Sequence, residues 1–369
     1  MHKEKTVLFF LTELNGGGAE KVMVAIANYL AKSGVKVVFA IVKSGGPYID
    51  LLSPDVELLE LKTNSKLMAV FELARLIRKT PPFCVFSSIL GSCIVLVLAN
   101  LLAGSKSKLV LREANTPSVE ASKGSVKQKL MRRISRLLYP RADTVIAVSK
   151  AVEKDLKEYY GYGLACKTIY NPVNVDEILE LASQELVIPL PWCGETAILI
   201  SAGRLSKQKD YLTLLHAFHS VVKVKDCKLI ILGEGELRSV LENTVQELGL
   251  QQHVWLPGFV SNPFPYFKKA QVFVLSSQWE GMPNVLIHAL AMGLKIVSTD
   301  CPSGPREVTD NGQLGRLVEV GDVEDMASAI IDSLDSGEKF ATARSHAYIK
   351  ENFSSETIFS TYREVLTTP

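Results

Sequence analysis

Apolar positions along this chain follow two rhythms. Short unbroken runs, rich in β-branched and aromatic side chains, occur at Thr6–Leu11, Lys36–Val42, Glu57–Leu61, Cys84–Ser87, Lys108–Arg112 and Thr144–Val148. Such runs read as strands buried on both faces. Between most of them apolar residues recur three and four positions apart, as in 19–33, the spacing of an amphipathic helix. The alternation predicts a parallel sheet wrapped by helices. It breaks at Asn171-Pro172-Val173, and Pro189, Pro191 and Gly194 punctuate the stretch beyond. It then restarts with strands at Ala197–Ala202, Lys228–Leu232, Val254–Leu256, Val272–Leu275 and Lys295–Thr299, and helices near 210–223, 236–248 and 283–292. Two similar α/β halves are therefore expected, 1–172 and 190–352. Their carboxyl-end crevices, where ligands bind in such sheets, are available to face each other.

The chemistry gathers at predicted strand ends. Val272–Leu275 stops at two serines, then Glu280, Gly281, Met282 and Pro283 lead into a helical pattern. A buried strand would thus carry an acid to a cleft mouth just before a helix. Pro283 suits the first helical turn, where its missing N–H costs nothing. The N–H groups of Asn284, Val285 and Leu286 would then face an anion. Asn15-Gly16-Gly17-Gly18-Ala19-Glu20 opens the first helix, where glycines let backbone approach a phosphate. It is not the dinucleotide fingerprint, because Glu20 and Lys21 stand where the third glycine belongs, and Lys43 replaces the acid expected after the second strand. A dehydrogenase is disfavoured accordingly. After Ala202 comes Gly203-Arg204-Leu205-Ser206-Lys207-Gln208-Lys209-Asp210. A guanidinium fork and an ammonium converging at a strand end suit a diphosphate. Gly233-Glu234-Gly235 and Thr299–Val308 are weaker signals of the same kind.

Composition narrows the picture. The 369 residues are 47% hydrophobic and 22% charged, a globular chain long enough for two domains. A net charge of +2, from 41 basic and 39 acidic residues, argues against a nucleic-acid binder. The six cysteines form no CxxC pair and read as reduced, mostly buried thiols. The start of the sequence shows no signal peptide, which predicts a cytoplasmic protein. The apolar run 89–103 is short for a membrane span and predicts a buried helix. Residues 123–138 carry six cations, and Val126, Leu130, Ile134, Leu137 and Leu138 fall on one helical face. A basic amphipathic helix on a near-neutral protein suggests docking on anionic lipid, with an ordinary surface helix as the alternative.

Gly203-Arg204-Leu205…Lys209-Asp210, Gly233-Glu234-Gly235, Leu256-Pro257-Gly258-Phe259, Ser277…Glu280-Gly281-Met282-Pro283-Asn284 and Pro302-Ser303-Gly304-Pro305-Arg306-Glu307 follow one another in a recognisable order. Together they resemble the retaining nucleotide-sugar glycosyltransferases of family four. The resemblance runs from the glycine loop at Gly16, Gly17 and Gly18 nearly to the end of the chain. It implies the GT-B fold: two Rossmann-like parallel-sheet domains facing across a cleft. The first would take the acceptor, the second the nucleotide sugar, and 353–369 would be a helix crossing back to the first. It implies that Arg204 and Lys209 hold the donor diphosphate, that Glu280 contacts sugar hydroxyls, and that the glycine loop meets the diphosphate or the sugar. Gly233, Met282, Pro283, Asn284, Ser303, Gly304 and Glu307 would line the donor, with backbone near Phe259 and Val260 on the base. No metal or other cofactor is implied, since two cations and helix N-termini supply the charge. In the family's proposed front-face chemistry the leaving diphosphate oxygen takes the acceptor's proton.

Two positions depart from the family pattern. His288 replaces the second acid of the E-x7-E motif, which usually binds ribose. Ala114 replaces an active-site histidine, leaving Arg112, Glu113 or Asn115 to serve the acceptor or sugar. The implied reaction moves a hexosyl unit from a UDP-sugar to a lipid-linked or polysaccharide acceptor, peripherally on the inner face of the cytoplasmic membrane. The alternatives are a nucleotide-sugar epimerase of similar architecture and a non-catalytic sugar-nucleotide-binding partner.

Overall fold

The computed structural model describes residues 5–15, 17–43, 45–192, 194, 196–336 and 342–369. The chain divides into two compact units. Unit 1 comprises the residues up to Pro172 together with Ser355–Pro369, and unit 2 is Val173–Ser354.

Unit 1 runs β1 (Thr6–Leu11), α1 (Gly18–Lys32), β2 (Lys36–Ile41), β3 (Val56–Glu60), α2 (Lys66–Lys79), β4 (Cys84–Ser88), α3 (Leu90–Ala103), β5 (Lys108–Glu113), α4 (Pro117–Lys123), α5 (Val126–Leu138), β6 (Thr144–Ala147), α6 (Lys150–Tyr160) and β7 (Cys166–Thr168). Unit 2 runs α7 (Val175–Leu181), β8 (Ala197–Ala202), α8 (Tyr211–Val221), β9 (Cys227–Leu232), α9 (Arg238–Glu247), β10 (Val254–Gly258), α10 (Phe264–Lys269), β11 (Val272–Leu275), α11 (Asn284–Ala291), β12 (Lys295–Thr299), α12 (Pro305–Val308), β13 (Arg316–Val318), α13 (Val323–Asp335) and α14 (Thr342–Phe353). The last helix, α15 (Ser355–Thr367), belongs to unit 1.

Every strand pairing is parallel. The orders are β3-β2-β1-β4-β5-β6-β7 and β10-β9-β8-β11-β12-β13. Parallel strands need helical crossovers, which bury both sheet faces. That is why the strands read as unbroken apolar runs. Phe9 stacks on Phe39 and meets Phe86 edge to face in unit 1, with Tyr362 of α15 against Phe86. Leu199, Leu229, Ile231, Val274 and Val297 centre the core of unit 2. Each order reverses once, between β1 and β4 and between β8 and β11. Crevices open at such reversals, beyond the carboxyl ends of the strands.

Differences from the sequence reading have local causes. The three-residue strands β7 and β13 were missed because they are too short to show a period. Residues 173–189, expected between the domains, include α7, whose Leu181 carbonyl accepts from Asn262 Nδ2 at 2.9 Å. The run 89–103 is a 14-residue helix, α3. Among the described residues, no helix is long and apolar enough to cross a membrane.

Candidate active site

The reversal between β8 and β11 brings the loops 203–210 and 276–283 together. Two glycines let a third loop, 233–235, press against residues 203–205. A Cβ on Gly233 would lie 2.0 Å from the Gly203 carbonyl oxygen, and one on Gly235 2.3 Å from that of Leu205. Backbone bonds from Leu205 N to Glu234 O (2.9 Å) and Leu237 N to Leu205 O (3.0 Å) close the seam. Gly233, expected to approach the donor, therefore has the place of its side chain filled by backbone.

Lys209 and Glu280 are 71 residues apart in sequence, yet their Nζ and Oε1 lie 2.6 Å apart. Glu280 is buried, and its Oε1 also accepts from Ser277 Oγ at 2.6 Å. The strand-end serines and threonine brace this pair. Ser276 Oγ donates to Lys209 O at 2.8 Å, and Thr299 Oγ1 to Ser277 O at 2.6 Å. Gln208 and Gln278 lock the loops further, through Gln208 Nε2 to Trp279 O (2.9 Å) and Gln278 N to Gln208 O (2.8 Å). Arg204 on the same loop is exposed, and makes no hydrogen bond or ion pair among the described residues. The arrangement offers one free fork-shaped cation beside an ammonium–carboxylate pair that an anion and a polyol could divide between them.

The other candidates of unit 2 lie nearby in sequence and fold. Ser303 sits at φ 68, a conformation rare outside glycine, and Gly304 at φ 92. A Cβ on Gly304 would meet Pro283 Cδ at 2.4 Å, so loop 302–304 rests directly on the 281–283 turn. Met282 is buried, Phe259 is exposed and Val260 half-exposed. Glu307 lies in α12, its carbonyl held by Tyr348 Oη at 2.6 Å. Two expectations about α11 need correction. Pro283 caps the helix in an extended conformation instead of lying in its first turn, and its carbonyl already accepts the Leu286 N–H at 2.9 Å. Leu286 is thus not among the groups left for an anion. His288 is half-buried, its ring edge-on to Phe264 of α10 at 5.3 Å.

Two models match the chain: Glycosyltransferase Family 4 over residues 16–177 and Glycosyl transferases group 1 over 196–336. The chain belongs to the family-four-like glycosyltransferases and has their GT-B fold. It is 34% identical over 233 residues to the N-acetylgalactosamine-N,N'-diacetylbacillosaminyl-diphospho-undecaprenol 4-alpha-N-acetylgalactosaminyltransferase of Campylobacter jejuni, a match covering 63% of this chain and 62% of that one. An uncharacterized glycosyltransferase of Methanocaldococcus jannaschii is 32% identical over 59% of this chain and 54% of its own. The matches thus span under two thirds of these relatives' lengths. Anabaena HepE in complex with UDP and glucose superposes with a TM-score of 0.80 at 19% identity, covering 98% of this chain and 99% of that one.

In unit 1 this glycosyltransferase family member departs most from expectation. Gly16 lies outside the described residues. Gly17 caps α1, but its N–H donates to Glu20 Oε2 at 3.1 Å, so the chain's own buried carboxylate occupies the helix N-terminus offered to a phosphate. Arg112 is buried, with its guanidinium set among the chain's own side chains. Its Nε donates to Tyr362 Oη (3.1 Å), Nη1 to Ser88 Oγ (3.1 Å) and Nη2 to Asn171 Oδ1. It ties α15 and the end of unit 1 to the sheet. Glu113 is buried too. Arg132 donates to it from Nη1 (2.6 Å) and Nη2 (3.0 Å), and Tyr139 Oη at 3.0 Å. Asn115 is half-buried and leans on the same group, its N on Glu113 Oε1 (3.2 Å) and its Nδ2 on Glu120 Oε1 (2.8 Å).

Arg132 itself overturns part of the lipid-docking reading, which counted it among the outward cations. Its side chain is 0% exposed. Its Nε and Nη2 reach Glu120 Oε2 at 2.9 and 2.5 Å, and Nη1 also reaches Tyr160 Oη at 3.2 Å. Burial alone would lower its pKa, but the Glu113 carboxylate more than offsets that and raises it. Glu120 is raised, chiefly by burial and against the pull of Arg132, with Glu113 adding to the rise. The outward face of α5 is apolar: Val126, Leu130, Ile134 and Leu137 are all exposed, Val126 at 85%, between exposed Lys127, Lys129, Arg133 and Arg136.

Sequence reasoning placed Ser277, Thr299 and Gln208 within the loop motifs but gave them no role of their own. It missed Tyr211. That hydroxyl is buried beside Gly203 and the Lys209 stem, with Ser201 nearby but outside hydrogen-bonding geometry.

Proposed function

We propose that this chain transfers a sugar from a UDP-sugar to a glycan borne on a membrane lipid diphosphate, with retention at the anomeric carbon and without a metal ion. The observation that carries this reading is the trio Arg204, Lys209 and Glu280 at the topological reversal of unit 2. The free guanidinium of Arg204 takes the diphosphate, and Lys209 turns from Glu280 to share it. Each would offset charge as the diphosphate leaves, by about 3–4 kcal/mol for a preorganised stabiliser of this kind. Glu280, released from Lys209, accepts from sugar hydroxyls. Exposed Phe259 and adjacent Val260 hold the base. The leaving oxygen takes the acceptor's proton, so the protein supplies no general base.

Two comparisons favour the substrates named. The Campylobacter relative acts, by its name, on a diphospho-undecaprenol glycan, and HepE was solved with UDP and glucose. The exposed apolar stripe of α5, set among cations, favours docking on an anionic bilayer where such acceptors reside.

The test offers purified protein a set of radiolabelled UDP- and GDP-sugars with a bacterial membrane-lipid extract. One UDP-sugar should label a lipid-soluble product with its anomeric configuration kept, and Lys209→Ala should lose most of that signal. Donor binding without transfer would favour the non-catalytic reading. Conversion of one nucleotide sugar to another would favour the epimerase.

A further inference from the structure

Helix α5 turns one of its cations, Arg132, inward. The apolar stripe faces solvent, while Arg132, Ser135 and Leu138 face the unit. All five N–H donors of Arg132 are engaged: Nε with Glu120, Nη1 with Glu113 and Tyr160, Nη2 with Glu113 and Glu120. Its acceptors come from three other elements, β5, α4 and α6. The residue that joins the two carboxylates is Asn115, in the loop that leaves the carboxyl end of β5. That is ligand-binding ground in a parallel sheet.

We propose that Arg132 is a positioning residue that couples α5 to the β5–α4 loop, so that docking of α5 on an anionic bilayer resets residues 113–120. The proposal rests on the lipid-docking reading above. Its physical basis is the rigidity and the stoichiometry of the cluster. A guanidinium with no spare donor, buried among two carboxylates, cannot shift without breaking a charge-assisted bond that no water replaces. When α5 moves, the loop must follow it. One cation also serves two carboxylates. A small displacement of Arg132 therefore changes how it is shared between Glu113 and Glu120, and with that the side chain and backbone of Asn115. Leu130 and Ile134, two positions either side of Arg132, lie on the exposed face, so the contact surface and the buried guanidinium share one helical turn.

Hydrogen–deuterium exchange on the full chain tests this, with vesicles of phosphatidylcholine alone or mixed with phosphatidylglycerol. In wild type the mixed vesicles should slow exchange in 126–138 and change it in 113–120. In Arg132→Lys, which keeps the charge but not the fork, the first response should persist and the second should be lost. With a soluble acceptor, mixed vesicles should raise kcat of wild type and leave that of Arg132→Lys unchanged, at equal donor KM. Glu120→Gln, which keeps the shape and removes one carboxylate, serves the same comparison should Arg132→Lys not fold. A response confined to 126–138 in wild type overturns the coupling alone. An equal response of 113–120 in wild type and variants overturns the role of Arg132. No response in 126–138 overturns the docking reading and the coupling with it.

Discussion

Each sheet ends in a guanidinium and a carboxylate, yet the two units use them in opposite ways. In unit 2, Arg204 is exposed and unpaired among the described residues, and Lys209 and Glu280 share one bond at the edge of solvent. In unit 1, Arg112 and Arg132 are sealed, with every contact made to the protein itself. The difference is access and stoichiometry. A cation with a free donor recruits a ligand, whereas one that is fully bonded in a dry site fixes geometry.

The largest way to break this contrast lies in unit 1. Arg132→Met should cost about 3–5 kcal/mol of stability, because it strands two buried carboxylates. Urea unfolding followed by circular dichroism measures it. A loss below about 1 kcal/mol would mean that the cluster is wet. Glu120 has a raised pKa, so its stabilising contribution is present below its unfolded value and lost as pH rises through the folded one. The advantage of wild type over Glu120→Gln should thus be greatest below about pH 4.5 and shrink as pH rises toward neutrality.

In unit 2 the effect should fall on turnover instead. Arg204→Ala should lose about 10²–10³ in kcat with the unfolding midpoint unchanged. Lys209→Ala should lose as much activity and some stability as well, since Glu280 would be left buried without its ammonium partner. Unchanged turnover in Arg204→Ala would remove the diphosphate assignment. Next in size is the outer face of α5. Reversing Lys127, Lys129 and Arg133 to Glu should weaken sedimentation with anionic vesicles by about 1 kcal/mol or more per cation. Arg132 is excluded from that set by its burial, and Arg136 because it lies 4.3 Å over the Tyr159 ring. The smallest effect is expected at His288. His288→Ala should weaken UDP binding in calorimetry by about 0.5–1.5 kcal/mol, the worth of one uncharged hydrogen bond. Equal affinities would show that the ring does not touch the nucleotide.

Strand and helix order was legible in the sequence because parallel strands are buried on both faces and leave unbroken apolar runs. The order of the unit 2 motifs was legible for a related reason: crossover connections put consecutive functional loops on one edge. The pairing of Lys209 with Glu280 was not, since no local pattern links residues 71 positions apart. Nor was the direction of α5. Its period announced an amphipathic helix, but a buried Arg132 and an exposed Leu130 depend on Glu113 and Glu120, which other elements supply. Arg112 and Glu113 were given to the sugar for the same reason. Their place at a strand end was readable, while the burial that closes them to solvent is tertiary.

The return of α15 to unit 1 has a consequence for how the protein is made. Unit 2 is an insertion within unit 1, and the crossing segments meet where Val173 N donates to Phe353 O at 2.8 Å. On the ribosome the first seven strands emerge long before Tyr362 does. At about 5–20 residues per second, Arg112 and Phe86 wait on the order of 13–55 s for the phenol that covers them. Unit 2 has all its strands by residue 318 and can close during that interval. The half that begins synthesis is therefore the half that finishes folding, and its sheet is the surface nascent-chain chaperones would have to shield.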